Sequence, residues 1–180
     1  MWYVVQTASG QEEKAMEQCG HAVPTNVAGA IFSPTYECMK KYQGTWHIEV
    51  QRLFPGYVFI DSEKQEELEK YLKRIPGAVI PVRIGGGFYP IRKEEQEFLQ
   101  ELLDESYCLR FSIGNIVDGE LIVEQGPLCK KTAYVRKIDR HKRIAQVLFR
   151  LFGEDRMARV GLEVKARLTA EEYRERKKTA

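Results

Sequence analysis

Helical periodicity stops after Asp104-Glu105, and that single change of pattern limits the chain to a fold of two unlike parts. Before this point apolar residues recur three times at helical spacing, between short β-branched and aromatic runs. Beyond it they form only short strand-like runs until a charged tail begins. Helices confined to one part of a chain rich in strands define an α+β class. The 180 residues are enough for one medium domain or two small ones. The pattern divides them into a first module at 1–105, a linker at 106–113, a second module at 114–170 and a charged tail at 171–180.

Within the first module, residues 2–7 (WYVVQT) read as a buried strand. Ser9 precedes Glu12 with capping-box spacing, which predicts a helix to about Cys19 that buries Ala15, Met16 and Cys19. Residues 20–29 hold two glycines and a proline and predict a loop, and 30–33 form a short strand stopped by Pro34. Residues 36–41 and 45–51 predict a hairpin about Gln43-Gly44, with Trp46, Ile48 and Val50 alternating with polar residues so that one face is wet. After Phe54-Pro55-Gly56, residues 57–60 predict a strand whose alternation sends Tyr57 and Phe59 to one face, Val58 and Ile60 to the other. Asp61 and Ser62 can cap a helix carrying Leu68, Tyr71, Leu72 and Ile75, ended by Pro76-Gly77. A strand at 78–84, a triple-glycine turn without the G-x-G-x-x-G pattern, and a helix from about 93 to 104 complete a sheet-and-helix sandwich. In the second module, strands at 121–123, 133–138, 144–152 and 157–164 predict a small β-barrel, and the tail from Glu171 is helical or frayed.

Charge is divided in the same way. Residues 1–105 carry 11 Lys or Arg against 16 Asp or Glu, whereas 106–180 carry 17 against 10. Between Gly126 and Gly153 eight cationic residues face one acid, Asp139. Like charges repel, so this concentration points to an anionic partner; the alternative is a solvated barrel face. The four cysteines are scattered without a C-x-x-C pair, so neither zinc nor a disulfide framework is expected, and no cofactor or other metal. No nucleophile elbow, Cys-His pairing or carboxylate pair in a cleft suggests catalysis. The acids at 63–69 and 94–105 read as solvated helix faces. With no export signal and no apolar run near 18 residues, the expectation is a cytoplasmic protein that does not partner a membrane.

Three strings carry a resemblance: WYVVQTASGQEEKA at the start, RLFPGYVFID at 52–61, and GPL followed by VRKIDRHKRIAQVLFRLFG. Together, in this order over roughly residues 2–165, they resemble the NusG family of transcription elongation factors. The resemblance implies an N-terminal NGN domain, a four-stranded antiparallel sheet with helices, and a C-terminal KOW domain of Tudor/SH3-like β-barrel form. It implies that the first binds the clamp helices of the largest RNA polymerase subunit. Carried over by motif, the contact residues are Trp2, Phe54, Pro55, Gly56 and Tyr57. IDRHKR at 138–143 and VGLEV at 160–164 look most like the LoaP subgroup, processive antiterminators thought to bind a nascent RNA hairpin through the KOW domain. That places RNA contacts at Lys130, Lys131, Arg136, Lys137, Arg140, His141, Lys142 and Arg143, the tip residues projecting outward. Non-template DNA stays open as a further partner, and a monomer is expected. The chain departs from the KOW pattern in having Ala133 where a glycine is usual, which would strain a backbone of positive φ. Two rival readings remain: a general elongation factor whose KOW domain binds Rho or a ribosomal protein, and a ribosome-associated KOW RNA-binding protein.

Overall fold

The structure is a computed structural model and describes residues 1–77 and 79–179. Ala78, expected at the start of a strand, and Ala180 lie outside the described residues.

Strand β1 (Trp2–Gln6) lies at the heart of the first module. It pairs antiparallel with β5 (Tyr57–Asp61) and with the short β6 (Ile80–Pro81), while β2 (Ile31–Phe32) covers the far edge of β5. The four-stranded order is β2-β5-β1-β6. One face of this sheet receives helices α1 (Glu12–Ala22) and α2 (Gln65–Leu72), and Tyr3, Val5, Val58, Ile60, Ala15, Cys19 and Leu68 close that core. The opposite face carries Trp2, Val4 and Phe59 and packs with helix α3 (Lys93–Leu102) through Leu99 and Leu102. The alternation expected of strand 57–60 is therefore present, with Phe59 and Val58 on opposite sides.

A long hairpin, β3 (Thr35–Tyr42) with β4 (Thr45–Arg52), turns at Gln43-Gly44 and stands apart from the main sheet. Its outer strand leaves Ile48 and Val50 each 58% exposed while His47, Glu49 and Gln51 are half-buried, so the wet face is the apolar one, the reverse of what alternation with polar residues leads to. Strand β7 (Cys108–Leu109), inside the expected linker, pairs parallel with β3. Asp104 holds this linker by accepting hydrogen bonds from the N–H groups of Ser106 and Cys108, both at 2.9 Å, and from Arg110 Nε at 2.5 Å.

The second module is one five-stranded sheet in the order β10-β11-β12-β8-β9. Its strands are β8 (Ser112–Val117), β9 (Glu120–Gln125), β10 (Val135–Asp139), β11 (Ile144–Leu151) and β12 (Glu154–Leu168). All neighbours are antiparallel except β12 and β8, which run parallel. Helix α4 (Ala170–Thr179) follows, tied back to β9 by a Lys177–Glu124 ion pair of 3.5 Å.

Several local expectations are corrected. Helix α1 runs past Gly20 to Ala22 and stops at Val23 because Pro24 disfavours helical backbone before it. Its start is not a Ser9 capping box. Glu12 is instead buried, accepting the Gly10 N–H at 2.9 Å and the Gly56 N–H at 2.6 Å. Among the described residues of the expected strand at 78–84, only 80–81 form one. Strand β8 had escaped prediction because Gly114 and Asn115 interrupt its apolar run. Ala133 sits in a 3₁₀ turn at Thr132–Tyr134 and is absent from the residues of positive φ, so alanine there carries no left-handed strain.

Candidate protein- and nucleic-acid-binding surfaces

The aromatic surface is built by the turn that leads into β5. Gly56 adopts a φ of 84°, and a Cβ there would lie 2.9 Å from the carbonyl oxygen of Thr7, so only glycine lets this turn sit against the end of β1. Its N–H is held by Glu12, which draws the turn onto the start of α1. Burial alone would raise the pKa of Glu12, but the N–H groups of Gly56 and Gly10 outweigh it and hold the carboxyl below its ordinary range. The turn projects Phe54 and Tyr57 to the same side as Phe59. Trp2 packs edge-on to Phe32 at 4.9 Å between centroids and is 4% exposed, so it is a floor of this surface rather than part of its rim. Phe54 is likewise buried, Pro55 is exposed and Tyr57 is half-buried.

What buries Phe54 is the second module. Phe149 of β11 meets it edge-on at 5.3 Å, and Phe152 lies 5.7 Å from the ring of Tyr57. Arg156 of β12 donates to the Tyr57 hydroxyl at 3.2 Å and places its guanidinium over the Tyr57 and Phe152 rings. A cavity of about 210 Å³ remains among Phe54, Pro55, Tyr57, Phe152, Arg156 and Met157. One apolar core therefore runs without a break from Trp2 and Phe59 into Phe149, Leu151 and Leu162.

Glu95 fastens the same arrangement. Its place among the acids at 94–105 predicts a solvated helix face, yet it is 4% exposed. It accepts the Arg92 N–H at the start of α3 and also the N–H groups of Phe152, at 3.3 Å, and Gly153, at 2.8 Å, in the β11–β12 turn. On the other side of the interface, a Cβ on Gly161 of β12 would lie 2.3 Å from the Glu37 carbonyl oxygen of β3. Arg156, Glu95 and Phe149 were missed by sequence reading because nothing in their local pattern marks a contact made across the two modules.

The cationic residues divide into two groups. Arg140, His141 and Lys142 occupy the β10–β11 turn and are exposed, as are Lys130, Arg136 and Lys137. The turn is shaped by Asp139, whose carboxylate accepts the Lys142 N–H at 3.0 Å. Beside it a cavity of about 190 Å³ is lined by Lys137, Asp139, Lys142, Gln146 and Arg159, which adds an unforeseen cation from β12. Arg143 departs from the expected outward projection, and Lys131, expected to extend the RNA footprint, is also engaged within the protein. Arg143 lies 4.2 Å above the Trp46 ring, reaches Met39 Sδ at 3.8 Å and pairs with Glu163 at 3.2 Å. Lys131 pairs with Glu101 of α3 and lies 5.2 Å from the Phe98 ring centroid. Arg136 donates to the Ala133 carbonyl at 2.6 Å.

Among the described residues, no group of three or more His, Cys, Asp or Glu side chains is placed to hold a metal ion, and no helix is long and apolar enough to cross a membrane. Cys19 is buried, and burial pushes its thiol up to about 11.

Taken together, these features define an α+β protein in which an aromatic-faced sheet with helices packs against a second, basic five-stranded sheet. Residues 1–100 match the NusG family, described as transcription termination factor nusG, and the chain belongs to that family. It is 26% identical over 167 residues to the transcription termination/antitermination protein NusG of Thermus thermophilus, covering 86% of this chain and 91% of that one. The Staphylococcus aureus (strain Mu50) protein of the same name is 25% identical over 164 residues, covering 86% and 88%. Among solved structures, one titled "Domain interaction in Thermotoga maritima NusG" superposes with a TM-score of 0.52 at 25% identity, covering 91% of this chain and 93% of that one. The chain is thus a NusG-type transcription termination/antitermination factor.

Proposed function

We propose that the protein is a LoaP-like processive antiterminator. Its N-terminal module, of NGN type, grips the clamp helices of RNA polymerase, and its C-terminal module, a KOW barrel, captures a hairpin in the nascent transcript of particular operons. The observation that carries the RNA half is the β10–β11 turn: Arg140, His141 and Lys142 are presented together in solvent, with Lys137 and Arg159 lining the adjoining groove. Arginine can bridge phosphate oxygens or stack on a base, while lysine acts as a mobile point charge. The polymerase half is supported by the family resemblance at FPGY and by the aromatic face that Phe54, Tyr57 and Phe59 form. Clamp helices would meet that face through buried ring area once the second module has moved off it. Holding the transcript near the enzyme raises the factor's effective concentration there, so modest affinities for each partner suffice. Non-template DNA is a further candidate partner of the first module.

Fluorescence anisotropy of the full chain with leader transcripts tests the RNA half. Replacing Arg140 and Lys142 by Ala should weaken binding about equally for all RNAs whose phosphates they touch. Wild-type affinity should fall with salt at a logarithmic slope of about −0.7 to −0.9 per phosphate contact. A flat salt response, or unchanged affinity in the double variant, would transfer the second module's role to a protein partner such as Rho or a ribosomal protein.

A further inference from the structure

Beside the β10–β11 turn, three strands bring three polar side chains into one row. The ladder sets Lys137 of β10 opposite Gln146 of β11, and Gln146 opposite Arg159 of β12. Residues directly opposite in a sheet share a face, so Gln146 stands between the two cations, whose strands are about 10 Å apart. The β10 ladder shifts register between Val135 and Lys137, leaving Arg136 as the extra residue, and this bulge puts Lys137 in the row. Two residues further along β10, Asp139 pairs with Ile144 on the same side of the sheet. These five residues and Lys142 line the cavity of about 190 Å³. Among the described residues, no hydrogen bond or ion pair engages the side chains of Lys137, Gln146 or Arg159.

Open donors facing one carboxylate form a pattern that a phosphate does not match. An anion in this cavity would meet Asp139, whereas a neutral ring with acceptors on one edge and donors on another satisfies both sides. Guanine is the RNA base of that form: O6 and N7 accept side by side, and N1–H and the N2 amino group donate side by side. We infer that this groove reads a single unpaired guanine of the RNA held by the second module, an inference that rests on the RNA-binding reading above. Arg159 and Gln146 donate to N7 and O6, the base edge that arginine most often recognises. Asp139 accepts from N1–H on the opposite edge. One of its oxygens is taken by the Lys142 N–H, and the other lies 4.0 Å from Lys142 Nζ, beyond hydrogen-bond range and open to the base. Ile144 gives the ring an apolar floor. The other bases turn an acceptor toward the carboxylate: N1 of adenine, N3 of cytosine, the carbonyls of uracil. The guanine is unpaired because a Watson–Crick pair uses the same N1–H. Loops and bulges of an RNA hairpin supply such bases, their edges no longer hidden in A-form grooves.

The test measures fluorescence anisotropy of the full chain with four stem-loop RNAs. They share one stem and a uridine loop in which a single position is G, A, C or U. The guanine loop should bind about tenfold tighter than the other three. Asp139→Asn retains an oxygen for the Lys142 N–H but turns an amide donor toward N1–H, and should erase that preference. 7-Deazaguanine in the loop removes the N7 acceptor, and should weaken binding by the wild-type chain but not by Arg159→Ala. Equal binding of all four loops by the wild-type chain, or an unchanged ranking in Asp139→Asn, would overturn the guanine assignment. The RNA reading survives that result if Arg140→Ala with Lys142→Ala weakens all four loops. If no stem-loop binds the wild-type chain, both fall.

Discussion

Single side chains in this protein act mainly by where the folded chain sends them. Glu12 reads in the sequence as the closing half of a capping box, but the carboxylate spans from α1 to Gly56 and fixes the aromatic turn. Removing it strands a buried N–H, so Glu12→Ala should lower stability by about 1–3 kcal/mol in urea titration. A loss near zero would mean that water replaces the carboxylate. Glu95 and Arg143 teach the same lesson. Both charges were visible in sequence and both were read as solvated or outward, because sequence shows the charge and not the distant N–H group or indole ring that meets it. His141, Arg140 and Lys142 were legible since a two-strand turn exposes its tip whatever the sheet packs on.

At the scale of elements, alternation and turn residues carried most of the information. The strand 57–60, the hairpin about Gln43-Gly44 and the helices around Leu68 and Leu99 all show in period and punctuation. β8 did not, since a glycine placed there for close approach to β9 breaks the apolar pattern: a Cβ on Gly114 would lie 2.3 Å from the Ile122 carbonyl oxygen. Gly126 is a further fixed point, with a φ of 94° and space for a Cβ only 2.6 Å from Ser112 Oγ. Gly126→Ala should therefore destabilise the second module by more than about 1–2 kcal/mol, read as a lower Tm. An unchanged Tm would show that the turn can relax. The linker is governed by Asp104. Burial alone would raise its pKa, but the Cys108 N–H, Ser106 and Arg110 hold it down to about 2. A depressed carboxyl stabilises the fold above its unfolded pKa near 4 and loses that contribution as pH falls toward the folded value. The amide shifts of Ser106 and Cys108 should accordingly stay constant down to about pH 4 and then change with a midpoint at about pH 2. Movement centred near an ordinary carboxyl pKa would contradict this assignment.

For the molecule as a whole, the opposite charge balance of the two parts of the chain is legible in the sequence, and their packing on one another is not. Contacts such as Phe54 on Phe149 join residues far apart in the chain, and no local period records them. Under the proposed function, the surface offered to polymerase is also the surface on which the C-terminal part packs, and access to it is set by how firmly that part is held. Arg156 gives the most direct access to this equilibrium, because it bonds Tyr57 from the second module and belongs to neither proposed partner site. The decisive measurement is the affinity of RNA polymerase for the full chain and for Arg156→Ala. Binding by the variant should tighten by about fivefold as docking weakens. Equal or weaker binding by a variant that remains folded would show that docking does not limit access to polymerase.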